Sequence, residues 1–172
     1  MSGMSSAREE RHERAGVVVR AAVSSDVRAI AEFQTACWRE AYLDLVPRSY
    51  LDGVDADARE MRWRERVVTG TRHVAVGRVA GSLAGVVSWG DSADSGIPPL
   101  ELKSLYVAAA YHGTDVAAAL ISHALGDAPA HLWVFETNPR AHAFYEKWGF
   151  AFDGHRKIDP DTGLWERRLV RT

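Results

Sequence analysis

The chain has 172 residues, with 21 basic and 23 acidic side chains and a formal net charge of −2. This length fits one domain with a sizeable core, and the near balance of charge excludes a global field that would attract nucleic acid or an anionic membrane. Cys37 is the only cysteine, which excludes an internal disulfide and a cysteine zinc cluster. A reducing, cytoplasmic compartment is therefore expected.

The first 15 residues are polar and charged, without the apolar core of a signal peptide. They predict a flexible N-terminal tail over 1–15, followed by a single domain over 16–172. No apolar run in the sequence reaches the roughly 20 residues that a membrane-spanning helix needs. We therefore expect neither a membrane nor a nucleic acid among the partners.

The first part of the domain predicts one strand and two helices. The β-branched segment from Val17 to Val23 is typical of a strand. Apolar residues then recur at helical spacing over 25–42, and again over 56–68. In the second helix this spacing places Met61 and Val67 toward the core, with Trp63 as a further candidate.

The remaining residues alternate between strands and helices. Three strands come next, and then a helix, a strand, a second helix and a final hairpin. This order predicts a mixed α/β sheet rather than a repetitive doubly wound one. The predicted segments are 72–81, 83–90, 100–108, 114–125, 130–137, 138–150, 151–159 and 164–171.

Common catalytic motifs are absent from the sequence. It contains no H-E-x-x-H, C-x-x-C, G-x-S-x-G or G-x-x-x-x-G-K-[ST] segment, and its seven histidines are scattered. No metal site is predicted.

The segment from Tyr106 to Leu125 predicts a strand, a tight loop around Gly113 and a helix. A helix start offers unpaired N–H groups and the positive end of the helix dipole to a phosphate. Alanines at 117–119 would let a bulky ligand approach the backbone. The same pattern also fits an ordinary turn before an alanine-rich buried helix, so both interpretations stay open for this segment alone.

The segment from Asn138 to Tyr145 predicts a helix with a polar face. Seven residues span about two helical turns, so Asn138, either Ala141 or His142, and Tyr145 share one side. The phenol could donate a proton to a sulfur atom, and the amide could hold a polar ligand chain. Alternatively, Tyr145 is a half-buried core aromatic and Asn138 is a helix cap.

Together, the segments "ELKSLYVAAAYHGTDVAAALI" and "LWVFETNPRAHAFYEKWGF" resemble the GCN5-related N-acetyltransferase (GNAT) family. The resemblance extends from about Val17 to the end of the chain. It implies an α+β fold with a mixed, mostly antiparallel central sheet of about seven strands, about four helices, and two central strands that splay apart. It also implies acetyl-coenzyme A as the co-substrate, bound between those strands.

The resemblance implies three groups of cofactor-binding residues, on the fourth strand, on the loop and helix start, and on the later helix. His112 departs from the Arg or Gln of the family's loop motif, and Asp115 departs from its first glycine. The residues implied are Leu105, Tyr106 and Val107; His112, Gly113, Thr114, Asp115, Val116 and Ala117; and Asn138 and Ala141.

The resemblance further implies direct attack of a primary amine on the thioester in a ternary complex. Glu101 would be the base that deprotonates the amine, although a strand-end carboxylate can also be simply exposed, and Tyr145 would protonate the leaving thiolate. The acceptor would be a small molecule or a peptide, and a homodimer is left open. The residues predicted to contact the acceptor are Trp38, Tyr42, Trp89 and Glu136.

Asp115 raises a second functional hypothesis. A carboxylate about 4 Å from a phosphate costs several kcal/mol at an intermediate dielectric if nothing compensates it. The side chain could turn aside, or it could occupy the anion site itself. The alternative to a working N-acetyltransferase is therefore a catalytically degenerate member of the same fold, a ligand-binding or interaction protein with weakened coenzyme A binding.

Overall fold

The computed structural model describes residues 16–42, 44 and 55–172, so the predicted tail over 1–15 lies outside the described residues. In the described part, seven strands and four main helices follow one another in the predicted order. Their bounds are β1 Val17–Ala21, α1 Val27–Tyr42, α2 Ala56–Thr69, β2 His73–Val79, β3 Ser82–Asp91, β4 Leu100–Val107, α3 Val116–Leu125, β5 Ala130–Phe135, α4 Pro139–Lys147, β6 Ala151–Ile158 and β7 Trp165–Arg171.

The seven strands form one sheet in the order β1-β2-β3-β4-β5-β7-β6. Only β4 and β5 are parallel, and every other neighbouring pair is antiparallel. The expected mixed, mostly antiparallel architecture is confirmed.

The parallel pair at the centre of the sheet separates soon after it begins. Glu101 is in register with His131 and Leu102 with Leu132, and no further residues of β4 and β5 are paired. Strand β4 nevertheless continues to Val107. The two strands therefore diverge, as expected, and leave main-chain hydrogen-bonding groups available along the inner edge of β4.

Helices cover both faces of the sheet. Val74 and Val76 of β2 belong to a buried cluster under α1 and α2, whereas Ala75 between them belongs to a cluster under α3 and α4. This alternation is the two-residue period of a strand that is buried on both faces.

The helical phase of α2 differs from the predicted one. Met61 is 74% exposed, whereas Trp63 is fully buried. Residues two apart on a helix point about 200° from each other, so a buried Trp63 turns Met61 to the outer face. The prediction that Met61 faces the core is therefore wrong, while Val67 packs against the cluster under α2 as expected.

A polar chain ties α2 and α1 to β4. The Trp63 indole N–H donates to Gln34 Oε1 over 2.8 Å, and Gln34 Nε2 donates to the Tyr106 hydroxyl over 3.0 Å. These bonds satisfy polar groups in the interior, where an unpaired group would be costly. They also fix the Tyr106 phenol at the separation of the strands.

Gly85 of β3 lies where the sheet meets α3. A Cβ at this position would lie 2.5 Å from Leu120 Cδ1 and 3.0 Å from the Tyr106 carbonyl oxygen. We expect Gly85→Ala to lower the free energy of unfolding by about 1–3 kcal/mol, because α3 or β4 must shift. Gly77→Ala is the matched control, since its Cβ would meet only the Leu120 side chain, at 3.2 Å. Equal losses for the two variants in urea denaturation would contradict this account.

Candidate active site

Two adjoining cavities open where β4 and β5 separate. The larger, of about 580 Å³, is lined by α1, the end of β4, the loop before α3 and the start of α4. The smaller, of about 240 Å³, is lined by both separated strands and by the β6–β7 hairpin. The lining residues common to both cavities are Trp38, Tyr42, Leu105, Tyr106, Asn138, Ala141 and Tyr145.

Tyr145 of α4 lies at this junction. Its ring contacts Phe144 and Phe150 edge-on, at centroid distances of 5.3 and 5.9 Å, and only 9% of the residue is exposed. Burial raises the pKa of this phenol, so it stays protonated at neutral pH. Among the described residues, none forms a hydrogen bond with its hydroxyl. The hydroxyl is therefore an available donor at the junction of the cavities.

The two other tyrosines at the junction are already engaged. Tyr106 accepts hydrogen bonds from Gln34 at 3.0 Å and from the Trp38 indole at 3.5 Å. Burial raises the pKa of Tyr42 to about 12, and a hydrogen bond with Asn138 opposes that rise. Tyr145 is thus the phenol at this junction whose hydroxyl has no partner among the described residues.

Asn138 serves as a helix cap and as a wall of both cavities. Its Oδ1 accepts from the Ala141 N–H over 3.1 Å, and Pro139 follows in the first turn of α4. This cap holds the start of α4 against the cavities. The two interpretations of Asn138 in the sequence are therefore compatible.

The loop before α3 exposes backbone donors to the larger cavity. Gly113 has a φ of +75°, in the left-handed region that favours glycine, and a Cβ there would meet nothing within 4 Å. Among the described residues, none accepts from the N–H groups of Ala117 and Ala118 in the first turn of α3. Gly113 and Ala117 line the cavity. These donors are compatible with an anion site, which is one of the two interpretations of this segment.

Three of the predicted loop residues do not line either cavity. Val116 is 1% exposed and packs in the core, and Thr114 donates its hydroxyl to the Tyr111 carbonyl over 2.7 Å. Asp115 is exposed at the start of α3 and makes no side-chain capping bond. Its carboxylate neither caps the helix nor lies within the cavity lining.

His112 and Arg140 form an unforeseen pair beside this loop. Arg140 Nη1 lies 2.7 Å from His112 Nδ1, and His112 Nε2 lies 3.0 Å from the Val107 carbonyl oxygen. Because arginine can only donate, Nδ1 accepts, and Nε2 carries the proton that it donates to Val107. Arg140 lines the larger cavity and brings a guanidinium beside the loop before α3.

Glu101 lies at the base of the separated strands and lines neither cavity. Its carboxylate forms an ion pair with Lys103 and is 3.8 Å from Nε2 of His131. His131 is fully buried, and its Nδ1 donates to the Pro98 carbonyl over 2.7 Å. In this structure Glu101 therefore belongs to a charged network beneath the cavities.

Of the four predicted acceptor contacts, Trp38 and Tyr42 line both cavities, and Trp89 and Glu136 line neither. Trp89 points to the α3 face, where its ring contacts His123 at a centroid distance of 5.9 Å. The Glu136 carboxylate binds two arginines of the β6–β7 hairpin, Arg156 at 2.9 Å and Arg167 at 3.0 Å.

The smaller cavity also contains acidic residues that were not predicted. Asp159 and Asp161 come from the β6–β7 turn and Glu166 from the start of β7. They reach the site only because β7 pairs with β5. No local sequence pattern signals that contact.

Residues 16–42, 44 and 55–172 contain no group of three or more His, Cys, Asp or Glu side chains that could hold a metal ion. Within the same ranges, no helix has both the length and the apolar character that a bilayer crossing requires.

Comparisons with known proteins agree with this architecture. The GNAT-family acetyltransferase model matches residues 27–150. Uncharacterised N-acetyltransferases of Mycobacterium bovis and Mycobacterium tuberculosis are 32% identical over 120 residues, which cover 65% of this chain and 74% of theirs.

Two solved structures have the same fold. One is the PaiA N-acetyltransferase of Thermoplasma acidophilum in complex with coenzyme A, with a TM-score of 0.70, 15% identity, and 90% of this chain and 98% of that chain covered. The other is YncA of Salmonella typhimurium with its cofactor acetyl-CoA, with a TM-score of 0.63, 20% identity, and coverage of 90% and 92%. The chain belongs to the GNAT family of acetyltransferases, whose co-substrate is acetyl-coenzyme A.

Proposed function

We propose that this protein transfers the acetyl group of acetyl-coenzyme A to a primary amine of a small molecule or peptide, by direct attack in a ternary complex. The observation that carries the proposal is the Tyr145 hydroxyl, which has no partner among the described residues and lies where the two cavities meet. A donor held there can serve a reaction whose two substrates approach from opposite cavities.

The larger cavity fits the co-substrate. The free inner edge of β4 would hold its amide chain, while Gly113, Ala117 and Arg140 would hold its phosphates. Once bound, acetyl-coenzyme A supplies an activated acyl carbon and a thiol leaving group. The exposed carboxylate of Asp115 is a tolerated departure from the family motif, because it lies outside the cavity lining.

Tyr145 would act as the acid. Its raised pKa keeps the proton on oxygen over the whole neutral range, so the hydroxyl can donate to charge that develops on the sulfur atom. The hydroxyls of Tyr106 and Tyr42 are held in place by Gln34 and Asn138, whereas no described residue holds the Tyr145 hydroxyl.

The amine would enter the smaller cavity, whose walls combine aromatic rings with carboxylates. This composition suits a group that arrives as an ammonium ion. The assignment of Glu101 as the base, the cytoplasmic location and the homodimer stay predictions.

Calorimetric titration with acetyl-coenzyme A, followed by a thiol-release assay, tests the proposal. The amine panel is butylamine, 1,4-diaminobutane, benzylamine and trialanine. We expect saturable binding at one site per chain and amine-dependent thiol release with at least one of these acceptors. Absence of binding, or binding without release by any amine, would contradict the proposed function.

A further inference from the structure

Glu166 is one of three carboxylates that line the smaller cavity, and it is largely enclosed. It lies on β7 directly opposite Phe135 of β5, and only 15% of its side chain is exposed. Cross-strand partners point to the same face of a sheet, so the carboxylate lies beside the Phe135 ring. Burial raises the pKa of Glu166 above its ordinary value.

The aromatic wall beside Glu166 is built by two elements. The Phe135 ring meets Tyr42 edge-on at a centroid distance of 5.4 Å and Trp38 at 6.1 Å, so it is packed against α1. All three rings line the smaller cavity. A carboxylate among aromatic rings is an arrangement that binds ammonium ions through charge and cation–π attraction.

The charged groups around Glu166 leave room for an incoming cation. Lys157 Nζ is 3.6 Å from Glu166 Oε2, longer than a hydrogen bond, and it also lies 4.1 Å from the centre of the Trp133 ring. The carboxylates of Asp159 and Glu101 oppose ionisation of Glu166. Among the described residues that line the cavity, the one cation is Lys103, which is paired with Glu101.

A second observation points to a ligand in this cavity. Tyr145 lines it too, is nine-tenths buried, and has a hydroxyl that no described residue satisfies. Such a group can donate a hydrogen bond to a molecule bound in the cavity. The Glu166 carboxylate and the Tyr145 hydroxyl thus line the same cavity.

We propose that Glu166 binds the ammonium group of the acceptor and takes its proton. This inference rests on the proposed function and adds a catalytic residue to it. Glu166 accepts one N–H proton, and the freed lone pair forms the C–N bond to the acetyl carbon while the C–S bond breaks. Tyr145 gives its proton to the sulfur and regains one from the new amide nitrogen. Glu166 then releases its proton to water, so the amide, the thiol and one proton are formed.

Geometry favours Glu166 over Glu101 for this role. Glu166 lines the cavity and has a cation only at 3.6 Å, whereas Glu101 lines neither cavity and forms a close ion pair with Lys103. A base must reach the proton that it removes, directly or through one water.

The test compares Glu166→Gln, Glu166→Asp, Glu101→Gln and Lys157→Met, with the panel amine that the native protein acetylates fastest. We expect Glu166→Gln to lower kcat/KM about 100-fold at neutral pH and Glu166→Asp to recover part of that loss. The native profile should be flat between the pKa of Glu166 and that of the amine. In Glu166→Gln, kcat/KM should instead rise tenfold per pH unit, because only the neutral amine reacts.

Lys157→Met distinguishes a catalytic role of Glu166 from a role as an ion-pair partner only. Lys157 lowers the pKa of Glu166, so its removal should move the acidic limb of the profile to higher pH and leave the plateau unchanged. An equal plateau loss in Lys157→Met and Glu166→Gln would show that Glu166 is only an ion-pair partner, and would overturn the inference. A native rate and profile in Glu166→Gln would also overturn it, as would a loss confined to Glu101→Gln. If the native protein acetylates no panel amine, the proposed function itself fails, which is a distinct result.

Discussion

Replacing Tyr145 by phenylalanine is expected to lower kcat for acetyl transfer about 100-fold, the lower end of what a positioned acid contributes. The substitution removes one oxygen atom and keeps the ring, which packs against Phe144 and Phe150. Affinity for acetyl-coenzyme A should therefore change little. Stopped assays of thiol release and calorimetric titration measure the two quantities separately.

The stability of the same variant distinguishes a functional hydroxyl from a structural one. The Tyr145 hydroxyl is buried and has no hydrogen-bond partner among the described residues, so its removal should not lower the free energy of unfolding. Tyr106→Phe is the matched control. It takes the acceptor away from Gln34 Nε2 and should cost about 1 kcal/mol. An unchanged rate and pH profile in Tyr145→Phe would contradict the assignment of the acid.

Much of the fold could be predicted because its signals are local. The hairpin between β2 and β3 turns at Ala80 and Gly81, both at positive φ. The glycine in this connection had indicated a turn. Pro139 and Gly149 bracket α4 as expected from helix-end chemistry. The two motifs also placed Asn138, Ala141 and Tyr145 on one face, and all three line both cavities.

Other features depend on contacts between distant segments. Glu166 enters the smaller cavity only through pairing of β7 with β5, and Arg140 meets His112 only when α4 packs beside the loop. No periodic pattern in the sequence predicts either contact. The position of Trp89 did have a signal, because strand alternation puts it on the same face as Val87, under α3.

Arg140→Gln is expected to weaken binding of acetyl-coenzyme A about 10- to 100-fold, the range for a charge-assisted hydrogen bond to an anion. The guanidinium lines the larger cavity beside the loop, where it adds a positive charge. The loss should shrink as salt rises, since the site is open to solvent and its charges are screened. Calorimetric titrations at two ionic strengths measure this dependence.

Asp115→Asn is the matched control, because it removes one charge at the other side of the same loop. The Asp115 carboxylate is exposed and outside the cavity lining, so its removal should strengthen binding by less than about threefold. The opposite pattern, a large gain in Asp115→Asn with no loss in Arg140→Gln, would mean that the carboxylate obstructs the phosphates and that Arg140 does not contact them. The two variants thus test whether acetyl-coenzyme A binds at this loop because Arg140, on α4, supplies a positive charge that the loop residues do not.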